Sequence, residues 1–197
     1  MEDLIEKAKK GDKESFTRLV LLVKNELYHV AKARLNNEED VCDAIQETTI
    51  TAYKNIKELK DSRYFKTWII RILINESNLI YKKNKKINII SFEEIENTKK
   101  INSPGMENVD IILDFNFICN QLKKEDRTII ILYYMDRFTD KEIGKILNLK
   151  ENTVKTKRTR AMQKIKDIIE ERRDINGWFR KKTISWFKFR NRCARQN

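Results

Sequence analysis

Thr139 to Arg160 reads TDKEIGKILNLKENTVKTKRTR, two short helical patterns separated by a turn, the second of them almost uniformly basic. Thr139 followed three residues later by Glu142 forms a capping box, in which hydroxyl and carboxylate each serve a backbone N–H that a helix start leaves free. A helix is therefore expected from Thr139, with Ile143, Ile146 and Leu147 as its apolar face. Gly144 removes the side chain where a second helix could approach closely. Asn148 stands at the turn, and Asn tolerates the left-handed backbone that such turns use. The following helix places Val154, Arg158, Ala161 and Ile165 on one face and Lys155, Thr156, Thr159, Arg160 and Gln163 on the other. This is a helix-turn-helix whose outer face suits a major groove, and promoter or operator DNA is the first partner it implies.

The charge is distributed to match. Lys150 to Lys164 carries a net +5 and Arg173 to Asn197 a net +7, together the whole formal excess of +12, so the rest of the chain is neutral in sum. A localised cationic surface attracts phosphates and releases their condensed counterions.

Four glycines and one proline in 197 residues, with abundant Ile, Leu, Lys and Glu, point to an all-α protein long enough for two small cores. Cys42, Cys119 and Cys193 are far apart and odd in number. They lack the paired spacing of a zinc site and read as reduced thiols of a cytoplasmic protein. No apolar run reaches the roughly 18–20 residues of a membrane span, and the opening MEDLIEKAKKGD has no secretory hydrophobic core. The sole histidine, His29, lies within Leu27, Tyr28, Val30 and Ala31 of an expected helix and reads as a packed side chain rather than a general base. There is no glycine-rich phosphate loop, metal motif or nucleophile elbow. The expectation is a non-enzyme without metal, cofactor or small-molecule substrate.

Two small helical domains joined by a flexible linker are expected. In the first, residues 1–86, Asp12 caps a helix carrying Phe16, Leu19, Val20, Val23, Leu27 and Val30. A helix from Glu38 to Ile56 follows, with Val41, Ile45, Thr48, Ala52 and Ile56 inward and Asp43, Gln46 and Glu47 outward. After the polar loop Lys57 to Arg63, a fourth helix holds Tyr64, Phe65, Trp68, Ile69, Ile72 and Leu73 and ends in a basic run at Lys86. The spacing of Trp68 with Phe65, Ile69 and Ile72 favours a core residue over a stacking platform. Periodicity weakens over 87–110, where Pro104-Gly105 interrupts the chain, and this reads as the linker. Residues 111–172 form the second domain, around Ile129, Leu132, Tyr133, Ile143, Ile146, Leu149 and Val154. The extension 173–197 interleaves Trp178, Phe179, Trp186, Phe187 and Phe189 with cations. Its pattern fits an amphipathic segment for an anionic membrane or DNA, a helix packed on the second domain, or a disordered tail.

Four segments in order carry a resemblance: Gly11-Asp12 with Phe16 and Leu19, DAIQET at Asp43 to Thr48, FKTWIIRILIN at Phe65 to Asn75, and TVKTKRTRA at Thr153 to Ala161. Their order and spacing resemble the bacterial sigma factors of the sigma-70 family, in particular the small two-domain extracytoplasmic-function (ECF) group. The resemblance implies a promoter-specificity subunit that binds core RNA polymerase, with Asp43, Gln46 and Glu47 docking on the clamp helices of its largest subunit. It implies that Lys57, Lys60, Ser62, Arg63, Tyr64, Lys66, Arg71 and Asn75 open the -10 element and hold its unpaired strand. Cations and planar groups are what such a strand requires.

The same resemblance assigns the helix-turn-helix to the -35 element. Lys155, Thr156, Thr159 and Arg160 would be nearest the bases, Lys157 and Lys164 on phosphates, and Thr153 on the same helix. It also implies an inhibitory anti-sigma factor, often membrane-bound. Two departures stand out: Asn152 where many members have glycine, and Arg158 where many have leucine on the buried face. Arg158 is expected to pack its stem and send its charge to solvent or phosphate. A stand-alone helix-turn-helix regulator would leave the DAIQET and FKTWI segments unexplained, and a membrane-surface protein acting through the tail would lose all activity on truncation near Arg172.

Overall fold

The computed structural model describes residues 1–90 and 121–171, with the side chains of 86–90, 169 and 171 left aside, and every regular element among them is helical. The expected linker from 91 to 110, the helical pattern at 111–120 and the extension from 172 onward lie outside the described residues.

Helix α1 (Glu2–Lys9) ends in a left-handed Gly11 at φ +97°. There the Asp12 N–H bonds the Lys7 carbonyl at 3.1 Å and the Gly11 N–H bonds the Ala8 carbonyl at 2.9 Å, the pair of contacts that closes a Schellman motif. Asp12 then caps α2 (Lys13–Arg34), accepting from the Glu14 N–H at 3.1 Å and from the Ser15 hydroxyl at 2.6 Å. The hydroxyl of Ser15 above all holds the Asp12 carboxyl below its ordinary range. The Asn37 side chain caps α3 (Glu38–Asn55) in the same manner.

Two short 3₁₀ turns, Ile56–Glu58 and Ser62–Tyr64, lead into α4 (Phe65–Ile90), which runs four residues into the stretch expected as linker. Within this N-terminal unit α2 packs on α1, α3 and α4, and α3 packs on α4. Phe16, Leu19, Val23, Leu27, Val30, Val41, Ala52, Ile56, Phe65, Ile69 and Leu73 are buried as the apolar spacing predicts, each large side chain contributing about 1.5–3 kcal/mol. Val20, Ile45, Trp68 and Ile72 pack against that core half-buried.

The C-terminal unit consists of α5 (Lys124–Ile130), a π-helical turn Ile131–Met135, α6 (Asp140–Leu147) and α7 (Glu151–Glu171). Ile129, Leu132, Ile143, Ile146, Val154, Ala161 and Ile165 form its centre, with Tyr133 and Leu149 half-buried. This unit sits directly on the first: α6 packs on α4, and α5 with its π turn packs on α2. That contact explains why Ile74, absent from the expected apolar stripe of α4 and beside Ile146 and Leu147, is 6% exposed; Ile70, equally outside that stripe, is 1% exposed. The helix is covered on two sides, so one period of apolar residues does not describe it.

Candidate nucleic-acid interface

The helix-turn-helix is built as its sequence dictates. The Thr139 hydroxyl accepts from the Glu142 N–H at 3.2 Å and the Thr139 N–H donates to the Glu142 carboxylate at 2.8 Å, closing both halves of the box. Asn148 is left-handed at φ 56°, ψ 45°. Gly144 is required for a reason more specific than a close helix approach: a Cβ there would lie 2.7 Å from the Leu149 carbonyl oxygen. That oxygen belongs to the turn, whose Leu149 N–H already donates to the Gly144 carbonyl at 2.9 Å.

On α7 the expected outer face is exposed: Thr153, Lys155, Thr156, Thr159, Arg160 and Lys164 all face solvent. The hydroxyls of Thr156 and Thr159 donate to the carbonyls of Asn152 and Lys155, at 2.9 and 3.0 Å. Their oxygens keep acceptor capacity while their protons are engaged. Lys157 is placed differently from its neighbours. Its ammonium is half-buried, 2.7 Å from Glu125 and 3.9 Å from Asp126 on α5, and the Glu125 hydrogen bond raises its pKa.

Arg158 departs furthest from expectation. Its guanidinium turns inward rather than out to solvent or phosphate; Nε and Nη2 each donate to an Asp140 carboxylate oxygen at 2.9 Å, and it lies 3.9 Å above the Tyr133 ring. Both side chains of the pair are 15% exposed. Burial opposes the charge, but the Asp140 hydrogen bonds and charge outweigh it and raise the Arg158 pKa. A planar cation forked onto a carboxylate and stacked on a phenol ring thus ties the second helix to the start of the first.

In the N-terminal unit, Asp43, Gln46 and Glu47 lie exposed on one side of α3, opposite the buried Val41, Ala44 and Thr48. Among the described residues none of the three has an ion pair. The residues assigned to the -10 strand divide into groups. Lys57 and Lys60 are exposed on the loop. Ser62 is half-buried, and Arg63 is turned onto Asp61 at 2.7 Å, lowering the Asp61 pKa and raising its own. Arg71 and Asn75 are exposed one turn apart on α4, and Tyr64, expected within that helix, is exposed at the end of the 3₁₀ turn that precedes it. Lys66 is on another side, 2.6 Å from Glu26 of α2, so the structure does not bring it to the other three. Trp68 is half-buried with its ring 6.1 Å from that of Phe65.

The face bearing Tyr64, Arg71 and Asn75 is turned toward the C-terminal unit. Lys145 of α6 lies 4.2 Å above the Tyr64 ring, and Arg71 and Asn75 line a cleft shared with α5 and α6. Further ties hold the units together. His29 Nδ1 is 2.9 Å from an Asp136 carboxylate oxygen, which gives the lone histidine a packing role across the interface. The Arg34 guanidinium donates to the Thr128 hydroxyl at 3.1 Å. Sequence reasoning could not find these cross-unit contacts, because they join residues whose local patterns are complete without them.

No cluster of residues suited to a metal ion is present among the described residues, and no described helix is long and apolar enough to cross a membrane.

Comparison with known proteins agrees with this geometry. Residues 19–86 match the family model of sigma-70 region 2, and residues 118–165 that of sigma-70 region 4. The chain is 31% identical over 178 residues to the ECF RNA polymerase sigma factor SigW of Bacillus subtilis, covering 85% of this chain and 95% of that protein. It is 26% identical over 180 residues to the ECF RNA polymerase sigma-E factor of Escherichia coli K12, covering 85% and 93%. Among solved structures its fold is similar to that of CnrH in complex with the cytosolic domain of CnrY, with a TM-score of 0.66 at 20% identity over 86% of this chain and 97% of that one. It is also similar to RpoE in complex with the anti-sigma factor NepR from Bartonella quintana, with a TM-score of 0.66 at 21% identity over 80% and 98%.

Proposed function

The chain belongs to the sigma-70 family, in its ECF group, and from that membership we propose how its surfaces divide the work of starting transcription. It is a sigma factor: it binds core RNA polymerase and directs promoter-specific initiation, reading the -35 element with its helix-turn-helix and opening the -10 element with its N-terminal unit. Bond formation is left to the polymerase, and the chain acts where that enzyme is, in the cytoplasm.

Residues 1–86 serve as the polymerase-binding and -10 domain and residues 111–172 as the -35 domain. Asp43, Gln46 and Glu47 form the docking face; their exposure together, with neither carboxylate paired to a cation among the described residues, supports this most directly. Tyr64, Arg71 and Asn75, with Lys57 and Lys60 of the loop, supply a planar ring, cations and an amide for the unpaired strand. Arg63 and Lys66 reach DNA only by leaving Asp61 and Glu26. On α7, Lys155, Thr156, Thr159 and Arg160 face the bases and Thr153 and Lys164 the backbone. Lys157 acts first as a strut to α5. An anti-sigma factor is the expected inhibitory partner.

The test is co-elution with sigma-free core polymerase at moderate salt, followed by transcription from a promoter the chain serves. Wild type is expected to bind, and Gln46→Ala/Glu47→Ala to bind more weakly with an unchanged melting curve. Failure of the wild-type chain to bind core polymerase would remove this reading and favour a stand-alone regulator.

A further inference from the structure

The cleft between the units measures about 360 Å³, at the small end of ligand pockets. Arg34, Arg71, Asn75 and Asn78 line it from α2 and α4, and Lys124 and Asn148 from the C-terminal unit, above an apolar patch of Ile74, Ile146 and Leu147. Its charge is not balanced. Among the described residues Arg34 donates to two neutral groups, the Thr128 hydroxyl at 3.1 Å and the Asn78 carbonyl oxygen at 2.7 Å, and its Nε is buried with no hydrogen-bond partner among them. Lys124 is half-buried, 3.9 Å above the Tyr81 ring. Burial first, then the charges of Arg34 and Arg127, push its pKa down to about 8. Glu125, the one carboxylate in the lining among the described residues, is engaged by Lys157 at 2.7 Å.

Among the described residues Arg34 and Lys124 are half-buried and Arg71 is exposed, three cations against the single carboxylate of Glu125, whose charge favours that of Arg34 while its hydrogen bond goes to Lys157. With amide donors beside them, these cations form a receptor for a compact anion of high charge. A phosphoryl group presents several acceptor oxygens in the geometry a guanidinium fork matches, and a cleft of about 360 Å³ suits a small ligand. We propose that this cleft is a binding site for a small phosphorylated anion, inorganic or carried on a small ester, gripped by Arg34 and Arg71 from one unit and Lys124 from the other. Because both units contribute, the bound anion favours the packed arrangement over a separated one. Anion binding requires neither polymerase nor DNA, so it stands or falls independently of the promoter function.

The experiment is calorimetric titration of the full chain with inorganic pyrophosphate at constant ionic strength, pH 8, in two buffers of unequal ionisation enthalpy. Wild type is expected to bind one pyrophosphate and to take up a fraction of a proton more than Lys124→Arg, because the anion completes the protonation of Lys124 while any proton lost by pyrophosphate itself is common to both proteins. Lys124→Arg, which keeps the charge without titrating, is expected to bind pyrophosphate without that additional uptake. Lys124→Gln and the exposed Arg71→Gln are each expected to bind about tenfold more weakly, the loss of one charge-assisted hydrogen bond. The exposed neighbour variant Lys123→Gln is expected to match wild type. Adenosine diphosphate binding tighter than pyrophosphate would assign the anion to a nucleotide, and equal binding would assign it to the bare inorganic group; either supports the site. The proposal is overturned by absence of saturable binding, by equal affinity of wild type and Lys124→Gln, or by proton uptake equal in wild type and Lys124→Arg.

Discussion

Arg158 shows how a single charged side chain on a buried face becomes structural. Its fork onto Asp140 and its stack on Tyr133 are worth more together than an exposed ion pair, because both partners are largely withdrawn from water. Arg158→Ala is expected to lower unfolding free energy in urea by about 1–3 kcal/mol, since it strands a half-buried carboxylate. Arg158→Leu/Asp140→Ser, which removes the charge on both sides, is expected to recover a good part of that loss; a double variant weaker than the single one would refute the pairing as the cause. Gly144 imposes a harder constraint. With the Leu149 carbonyl 2.7 Å from the position of an added Cβ, Gly144→Ala forces the turn to move, at a cost of about 1–3 kcal/mol. It also tilts the recognition helix, so -35 binding should fall further than the loss of folded protein explains, which a comparison of binding and melting on the same sample would reveal.

At the scale of the element, α7 has one side for structure and one for DNA. Lys164→Ala is expected to reduce the salt slope of promoter binding by about 1 while leaving sequence preference intact; Arg160→Ala should relax preference at the -35 element, with about 1–3 kcal/mol less discrimination. Equal losses on matched and mismatched promoters for Arg160→Ala would move it to the phosphates. Much of this element was readable in sequence, because its determinants are local: the Thr139 and Glu142 box, the left-handed Asn148 and the Val154, Ala161, Ile165 stripe lie within one stretch of chain. The exposed trio on α3 was readable for the same reason. What local pattern could not reveal was partnership across elements. Lys157 and Lys66 look like free cations until α5 and α2 bring Glu125 and Glu26 to them, and Ile74 looks redundant until a second unit covers it. Fold class follows from periodicity, whereas the availability of a charge follows from packing.

Across the whole molecule, the packing of the two units sets the working problem. Tyr64, Arg71 and Asn75 are exposed beside α5 and α6, so the DNA-strand role proposed for this face predicts that engaging a strand there displaces the C-terminal unit. Two short domains on one chain gain from being linked, since capture of one promoter element raises the effective concentration of the other contact. The same linkage lets them pack on each other when no promoter is present. Lys124 gives this packed arrangement a pH dependence with a definite sign. Its pKa is about 8 in the packed chain against an ordinary 10.5, so between those values the unfolded chain binds more protons than the packed one, and stability rises with pH across that window. Below about pH 8 the lysine is charged in both states and its burial is a standing penalty; above 10.5 the penalty is gone. The melting temperature of wild type, measured against Lys124→Met, is therefore expected to climb between pH 8 and pH 10, and saturating pyrophosphate, which restores a counter-charge, should flatten that climb. Parallel pH profiles for the two proteins would mean that the ammonium is as well solvated in the packed chain as in the unfolded one, and that the cleft does not hold it.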